Sequence, residues 1–270
     1  MLLTRAHGLG NDYLILESGE ALEPALVRAI CDRHRGVGGD GILEPAERGP
    51  GDHGVRIWNP DGSVAEKSGN GLRIFARWLG DLGATGSFTV WTGSELARCT
   101  LLADGVAVEM GRARFLPAQV PVDRERLDAP LCLGDVTLPF TAVGLGNPHA
   151  VHFTEAPLDS LPWRRWGAEV EVHPAFPHRT NVQFARVEGE GLELRIWERG
   201  AGETLASGSS SCAAAAAAVR TGRLPPGPIT VHMPGGSLLV AVSEALDLTL
   251  TGPVEVVGQV RVDPRWLAAR

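Results

Sequence analysis

The sequence predicts an α+β fold of two pseudo-symmetric domains with duplicated topology, each a mostly antiparallel sheet around a central helix. The first observation is length, because 270 residues suffice for two ordinary domains. The second is composition, since 44% apolar and 21% charged residues are typical of a globular protein. The third is a set of short motifs that recur in the same order in the two halves.

The repeat is defined by pairs of matching positions. Each half has a GLGN motif, and each has a tryptophan ten residues before a serine. The offsets between paired positions are 136 and 139 residues, so they change little along the chain. Such an ordered series indicates duplication rather than chance. The paired positions are 8–11 with 144–147, Trp58 with Trp197, and Ser68 with Ser207.

After each serine, the pattern predicts the same succession of elements. A glycine and a short polar turn lead into a helical run, a strand follows, and a hairpin-like pair closes the half. In the first half, Asp104-Gly105 marks the turn of that hairpin. The predicted helices are 72–79 and 212–219, and the predicted strands are 88–92, 98–103, 106–110, 229–233, 238–242 and 246–250.

The repeat also predicts the domain limits. Residues 1–115 form the first domain together with a returning C-terminal strand at about 256–270, and residues 116–255 form the second. The linker is predicted within 116–130, where prolines and alternating charges break any periodicity.

Charge and hydropathy exclude several classes of partner. The net charge of −7 and the isoelectric point near 5.6 argue against a nucleic-acid-binding surface. The opening segment MLLTRAHGLG has no apolar secretory region, and no run approaches the about 18 continuous apolar residues of a membrane span. We therefore expect a soluble, cytoplasmic protein with no membrane partner.

The cysteines give no indication of a metal or disulfide framework. They lie far apart and form no CxxC pair, which argues against a zinc site or a redox pair. We expect all four to be buried thiols in a reducing cytoplasm. They are Cys31, Cys99, Cys132 and Cys212.

Two segments are candidates for binding a carboxylate. A glycine-flanked turn that leads into a helix presents backbone N–H groups and the positive end of the helix dipole. The segments 68–71 (SGNG) and 207–210 (SGSS) both have this form, although an ordinary serine N-cap explains either one alone. Glu198-Arg199, just before the second segment, offers an acceptor and a bidentate donor. This pair suits a ligand that carries both an ammonium and a carboxylate. The alternative interpretation is that the two side chains form an ordinary surface salt bridge with each other.

Asparagine is scarce, which makes its positions informative. The chain has five, and each lies beside glycine, proline, aspartate or threonine, as expected for turns that carry functional side chains. They are Asn11, Asn59, Asn70, Asn147 and Asn181.

Six segments carry further motifs: HGLGNDYLIL, DRHRGVGGDGIL, WNPDGSVAEKSGNG, GNPHAV, RTNVQF and WERGAGETLASGSSSCAAA. In this order, and over nearly the whole chain, they resemble the diaminopimelate epimerase family. The resemblance implies an active site in the cleft between the two domains and inversion at an amino-acid Cα without pyridoxal phosphate or metal. It also implies an isomerase that interconverts LL- and meso-diaminopimelate for lysine and peptidoglycan precursors.

Two-base inversion needs one proton-transfer group on each face of Cα. Members of the family use two cysteines, and the matching positions in this chain are Ser68 and Ser207. A hydroxyl is not appreciably ionised near neutral pH without a strong base beside it. Cys212 lies five residues inside the second predicted helix, and we expect it to be a core residue rather than a substitute.

The resemblance also implies the residues that hold the substrate. Arg199 and two asparagines would hold the distal carboxylate, and Glu198 the distal ammonium. The backbone of Gly69, Asn70, Gly208 and Ser209 would receive the reacting carboxylate. His149 and Glu198 would tune the proton-transfer groups, so that the implied catalytic set is Ser68, Ser207, His149 and Glu198. The implied asparagine ligands are Asn11, Asn59, Asn147 and Asn181.

Two alternatives remain at this point. The chain could be a catalytically inactive, amino-acid-binding homologue, because the ligand-holding residues are present and the cysteine pair is not. It could also be another racemase of the same fold, although Glu198-Arg199 favours a substrate with a second charged end. The serines are either native to the gene or deliberate replacements, and a homodimer is compatible with the sequence.

Overall fold

The computed structural model describes residues 1–19, 21–65 and 68–270. The chain forms two compact units, Met1–Glu109 with Thr251–Arg270 and Met110–Leu250. Each unit is α+β and dominated by its sheet, which confirms the predicted fold class. The domain limits of 1–115 with about 256–270 and of 116–255 stay a prediction.

The elements follow one another in a repeated order. In the first half they are β1 (Leu2–Gly8), β2 (Asn11–Ser18), α1 (Pro24–Cys31), β3 (Ile42–Ala46), β4 (His53–Trp58), β5 (Val64–Ala65), α2 (Gly69–Asp81), β6 (Ser87–Trp91), β7 (Leu96–Leu102) and β8 (Gly105–Arg112). They continue with β9 (Ala129–Leu133), β10 (Val136–Gly144), β11 (Pro148–Phe153), a short 3₁₀ helix (Leu158–Ser160), α3 (Trp163–Glu171), β12 (Asn181–Glu188), β13 (Gly191–Glu198), β14 (Gly202–Thr204), α4 (Gly208–Arg220), β15 (Gly227–Met233), β16 (Gly236–Val242), β17 (Asp247–Gly252), β18 (Glu255–Arg261) and α5 (Pro264–Ala268).

Strand pairing shows the duplication directly. In the first unit β1 and β2 are antiparallel, β2 and β3 are parallel, β3 pairs antiparallel with β4, and β4 pairs antiparallel with β5 and parallel with β6. In the second unit β10 to β15 repeat this pattern, with β10–β11 antiparallel, β11–β12 parallel, β12–β13 and β13–β14 antiparallel, and β13–β15 parallel. Each parallel step crosses over through a helix, as parallel pairing requires. The other strand pairs, which are the majority in both units, are antiparallel.

The outermost strands complete the correspondence. In the second unit, β9 precedes β10 in the chain and pairs with it antiparallel. In the first unit β18, from the C-terminal part of the chain, pairs antiparallel with β1 in the equivalent position. The register runs from Leu2 opposite Arg261 to His7 opposite Glu255.

The two helices that follow the serines are longer than the sequence predicts. α2 and α4 both have 13 residues and begin directly after Ser68 and Ser207. Their first turns are glycine, asparagine and serine, which have low helix propensity, so the apolar pattern detects only the later turns. Among the residues that the structure describes, no helix is long and apolar enough to cross a bilayer.

The GLGN repeat makes two different turns. Gly8 pairs with Asn11, and the loop residues Leu9 and Gly10 have φ of 56° and 88°, as a tight two-residue hairpin turn requires. In the second unit Gly144 pairs instead with Pro148, which leaves Asn147 inside the loop. The same four letters therefore place one asparagine at a strand start and the other in a loop.

The cysteine prediction is right for three positions and wrong for one. Cys31, Cys99 and Cys212 are buried, and burial raises the pKa of the Cys31 thiol to about 12. Cys132 is exposed. It lies on β9, where the alternation of side chains directs its neighbours Leu131 and Leu133 into the core and Cys132 outward.

Candidate active-site residues

Ser68 occupies the N-cap of α2. Its backbone is extended, with φ −139° and ψ 116°, and its Oγ accepts a hydrogen bond from the Gly71 N–H at 3.0 Å. The phenol oxygen of Tyr13, on β2, lies 3.1 Å from the same Oγ. The capping role that the sequence allows for this serine is therefore real, and it orients the hydroxyl at the start of the helix.

A hydrogen-bonded chain of side chains supports this helix start. Asn70 Nδ2 donates to Asn11 Oδ1 at 2.9 Å, and Asn11 Nδ2 donates to Asp40 at 2.8 Å. Arg73, one helical turn after Asn70 and fully buried, donates to Asn70 Oδ1 at 2.7 Å. Asn11 and Asn70 are thus brought together, and the side chain of Asn70 is fixed from both ends.

Charged groups hold Asp40, the last member of this series of hydrogen-bonded side chains. Arg33 forms ion pairs with both Asp40 and Asp12, at 2.6 Å each. Burial raises the pKa of Asp12, but hydrogen bonds from Arg33 and Arg5 outweigh it and keep that pKa below its ordinary value. Asp40 therefore presents an anchored carboxylate to Asn11.

Asn59 lies elsewhere in the first unit. It follows β4, and its side chain donates to Ser63 Oγ at 2.9 Å in a turn closed by the Asn59 N–H and the Ser63 carbonyl. Within the described part of the chain, the hydrogen bonds of Asn59 do not join it to the network of Asn11 and Asn70.

Ser207 is the N-cap of α4 and repeats the backbone of Ser68, with φ −147° and ψ 125°. It is only 5% exposed, and its side chain makes no capping hydrogen bond. Its carbonyl accepts from the Ser211 hydroxyl at 2.8 Å. By helix geometry, the N–H groups of Gly208 and Ser209 have no acceptor within α4 and point toward its N-terminal end.

His149 is completely buried beside this helix start. Its Nε2 lies 2.9 Å from Asn147 Oδ1, and Gln183 Nε2 contacts its Nδ1 at 3.1 Å. Burial, with a further contribution from the charge of Arg199, lowers the pKa of His149 to about 3. The ring is therefore neutral at pH 7, with Nε2–H donating to the asparagine oxygen and Nδ1 accepting from the glutamine.

A pH-dependent loss of stability follows from this burial. An unfolded histidine titrates near 6.5, whereas His149 in the folded chain titrates near 3, so only the unfolded state takes up the proton between these values. Stability is then lost as pH falls, by at most about 5 kcal/mol. We expect His149→Gln to make the urea midpoint less dependent on pH between 7 and 4.

The control for this measurement is His232→Gln, an exposed histidine on β15. It should leave the pH dependence as in the parent chain. A residual dependence is expected in His149→Gln, because burial also lowers the pKa of His152. Equal slopes for His149→Gln and the parent would contradict a neutral, buried His149.

Asn181, Glu198 and Arg199 lie at neighbouring strand ends. Asn181 Nδ2 donates to the Pro148 carbonyl at 3.0 Å, and Asn181 Oδ1 accepts from the Arg199 N–H at 3.0 Å. Glu198 ends β13 and pairs in register with Gly202 of β14. The Arg199 guanidinium donates to the His178 carbonyl at 3.3 Å. Asn181 therefore fixes the backbone at Arg199, next to Glu198.

Several residues of these networks were not singled out from the sequence. Each lies inside a quoted motif or one helical turn from one, but its side-chain type alone did not distinguish it. Tyr13 had the strongest available signal, because it is the only tyrosine in the chain. The residues are Tyr13, Asp40, Arg73, Gln183 and Ser210.

Metal-ligating side chains do not converge here. Within residues 1–19, 21–65 and 68–270, no group of three or more His, Cys, Asp or Glu side chains is arranged to hold a metal ion.

A protein-family model and curated relatives match this chain. The model described as diaminopimelate epimerase matches residues 3–116 and 141–257. A protein named diaminopimelate epimerase 2 from Nostoc sp. is 41% identical, over 96% of this chain and 94% of its own length. A diaminopimelate epimerase from Desulforudis audaxviator is also 41% identical, over 100% of both chains.

Solved structures share the fold at low sequence identity. A hydroxyproline epimerase from Agrobacterium vitis superposes with a TM-score of 0.72 at 17% identity, over 98% of this chain and 94% of its own. A PhzF-family phenazine biosynthesis protein from Bacillus anthracis gives a TM-score of 0.72 at 16% identity, over 97% and 99% of the two chains. At these identities the likeness concerns the fold alone.

Proposed function

Since this chain belongs to the diaminopimelate epimerase family, we propose that it interconverts LL- and meso-diaminopimelate by moving the α-proton through Ser68 and Ser207. The enzyme is then an isomerase that needs neither pyridoxal phosphate nor a metal. The relatives favour this function over the inactive homologue and over another racemase, because those similar over nearly the full chain are named diaminopimelate epimerases.

One observation carries the proposal. Ser68 and Ser207 are the N-caps of the two topologically equivalent helices, with nearly the same backbone angles. Two-base inversion requires one proton-transfer group from each side of Cα, and a duplicated fold supplies two equivalent groups.

The proposed steps balance in protons and charge. One serine, present in its deprotonated form, takes the α-proton and becomes a hydroxyl, and the electron pair of the Cα–H bond moves into the carboxylate, which gains charge. The N–H groups of Gly69, Asn70, Gly208 and Ser209 stabilise this charge at the two helix starts. The other serine then donates its hydroxyl proton to the opposite face of Cα, where the electron pair returns from the carboxylate to form the new C–H bond. This serine is left deprotonated, and the configuration is inverted.

The remaining predicted residues bind and orient the substrate in this proposal. Arg199 holds the distal carboxylate, a bidentate match for a guanidinium, and Glu198 holds the distal ammonium. Neutral His149 supports the helix start through Gln183, whose Nε2 also donates to Ser210 on α4 at 2.9 Å. The asparagine ligands are Asn11, Asn59, Asn147 and Asn181, of which Asn11 also positions Asn70.

The cellular setting is part of the same proposal. The reaction would take place in the cytoplasm and supply lysine and peptidoglycan precursors. The partner is a small amino-acid substrate, and a homodimer stays a prediction.

The test follows the α-hydrogen. LL- and meso-diaminopimelate are incubated with the chain in heavy water, and loss of the α-proton signal is measured by NMR beside a stereochemical assay. We expect solvent deuterium at Cα together with interconversion. Ser68→Ala and Ser207→Ala should each lose interconversion, with exchange confined at most to the face that the remaining serine serves. Tight binding without exchange or interconversion would instead identify an inactive, amino-acid-binding homologue.

A further inference from the structure

We propose that Tyr13 completes the proton-transfer group of the first unit by exchanging a proton with Ser68, so that the phenol and the hydroxyl act as one acid. This inference rests on the proposed function, because it assigns Tyr13 a part in the same reaction. Tyr13 does not need to touch the substrate, since it acts through Ser68.

The contact is built into the fold. Tyr13 is 6% exposed, and its hydroxyl lies 3.1 Å from Ser68 Oγ, which also receives the Gly71 N–H at 3.0 Å. Gly41 leaves room for the tyrosine ring. A Cβ at Gly41 would lie 2.7 Å from Tyr13 Cε1 and 2.3 Å from the Trp58 carbonyl, too close for any side chain.

The chemistry explains why a serine needs such a partner. An isolated hydroxyl is too weak an acid to give up its proton near neutral pH, whereas a phenol has a pKa of about 10. When Ser68 donates to Cα, its O–H bond breaks and a C–H bond forms, and the Tyr13 proton moves to Oγ. The negative charge then ends on the phenolate instead of on an alkoxide. In the reverse direction, the phenolate takes the Ser68 proton while Oγ takes the α-proton.

The electrostatics of the helix start favour the same transfer. While charge passes through Oγ, the Gly71 N–H already donates to that atom, and the positive end of the α2 dipole lies beside it. These groups are in place before reaction and need no reorganisation.

The second unit lacks this arrangement at Ser207. His149 follows Asn147 as Tyr13 follows Asn11, two residues later, so the duplication places a protonatable ring in both halves. However, the His149 nitrogens are bonded to Asn147 and Gln183, and the Ser207 side chain makes no capping hydrogen bond. The two serines should therefore differ in reactivity, with Ser68 the stronger acid–base group.

A comparison of four proteins tests this proton relay from Tyr13 to Ser68. They are the parent chain, Tyr13→Phe, Ser68→Cys and the double variant Tyr13→Phe/Ser68→Cys. For each, deuterium exchange at Cα and interconversion are measured from pH 6 to pH 10, with the affinity for meso-diaminopimelate and the thermal midpoint alongside. The pH range brackets the ordinary pKa values of about 8.5 for a thiol and 10 for a phenol.

In the serine background, we expect Tyr13→Phe to lower the turnover rate by about 10²-fold or more, the usual contribution of a positioned acid–base group. We expect the parent rate to rise toward high pH. This rise should be absent in Tyr13→Phe, while substrate affinity changes little. In the Ser68→Cys background, the same substitution should change turnover by less than about tenfold, because a thiol ionises without help. Thr4→Val is the matched control, since it removes another buried hydroxyl of the same sheet, bonded to Glu17.

The outcomes separate this inference from the proposed function. Equal losses in both backgrounds would show that Tyr13 only supports the structure, and no loss in the serine background would show that Ser68 works alone. Either result overturns the relay while the epimerase function stands. A parent chain that binds substrate but exchanges no α-proton would overturn the proposed function, and the relay with it.

Discussion

Replacement of both serines by cysteine, in the variant Ser68→Cys/Ser207→Cys, is expected to raise the rate of epimerisation by about 10²-fold or more. The reason is acidity. A thiol has an ordinary pKa of about 8.5, and a helix N-terminus lowers it further, so thiolate is present at neutral pH. Both positions are helix N-caps, so both cysteines would gain this effect. The measurement is interconversion of LL- and meso-diaminopimelate, with α-proton exchange followed by NMR.

Single variants show which face each residue serves. Each is expected to speed exchange of the α-hydrogen from one face only, and only the double variant should invert efficiently. Ser207→Cys should give the larger single gain, because Ser68 already has the Tyr13 hydroxyl beside it. Ser160→Cys adds an exposed thiol at a position separate in sequence from Ser68 and Ser207, and it controls for a nonspecific effect of an added thiol on the rate. If the serine chain already works as fast as the double-cysteine variant, the acidity argument is wrong.

Loss of the Arg199 guanidinium should weaken binding of meso-diaminopimelate by roughly 2–5 kcal/mol, which is about 30- to 5,000-fold in affinity. In Arg199→Met the distal carboxylate would remain without its bidentate partner when bound. Isothermal calorimetry on the parent and the variant measures the difference. The Arg199 backbone is held by Asn181, so the substitution removes the charge without removing this anchor.

Arg195→Met provides the matched control for this experiment. Arg195 lies on the same strand, β13, and its guanidinium pairs with Asp159 and Glu193. Its substitution should leave affinity unchanged. Near-equal affinity for the parent and Arg199→Met would mean that Arg199 does not hold the distal end and that the ligand is smaller.

Most of the fold could be predicted from the periodicity of apolar residues and from the internal repeat. Internal offsets of 136 and 139 residues predicted the duplication, because repeated motifs are a property of the sequence itself. The apolar patterns predicted both central helices, but placed their starts at 72 and 212 rather than 69 and 208. A first turn of glycine, asparagine and serine has no apolar period. Its helical conformation is supported by the Ser68 cap in α2 and by the surrounding packing in both helices.

The sequence by itself determined the family, the duplicated α+β architecture and the residues that the motifs contain, since motif order and residue identity survive without coordinates. Only the tertiary structure decided which side chains meet. The exposure of Cys132 depends on the outward direction of one strand position, and the contact of Tyr13 with Ser68 joins residues 55 positions apart. Likewise, the neutrality of His149 comes from complete burial, because desolvation depends on everything packed around the ring and not on its neighbours in the chain.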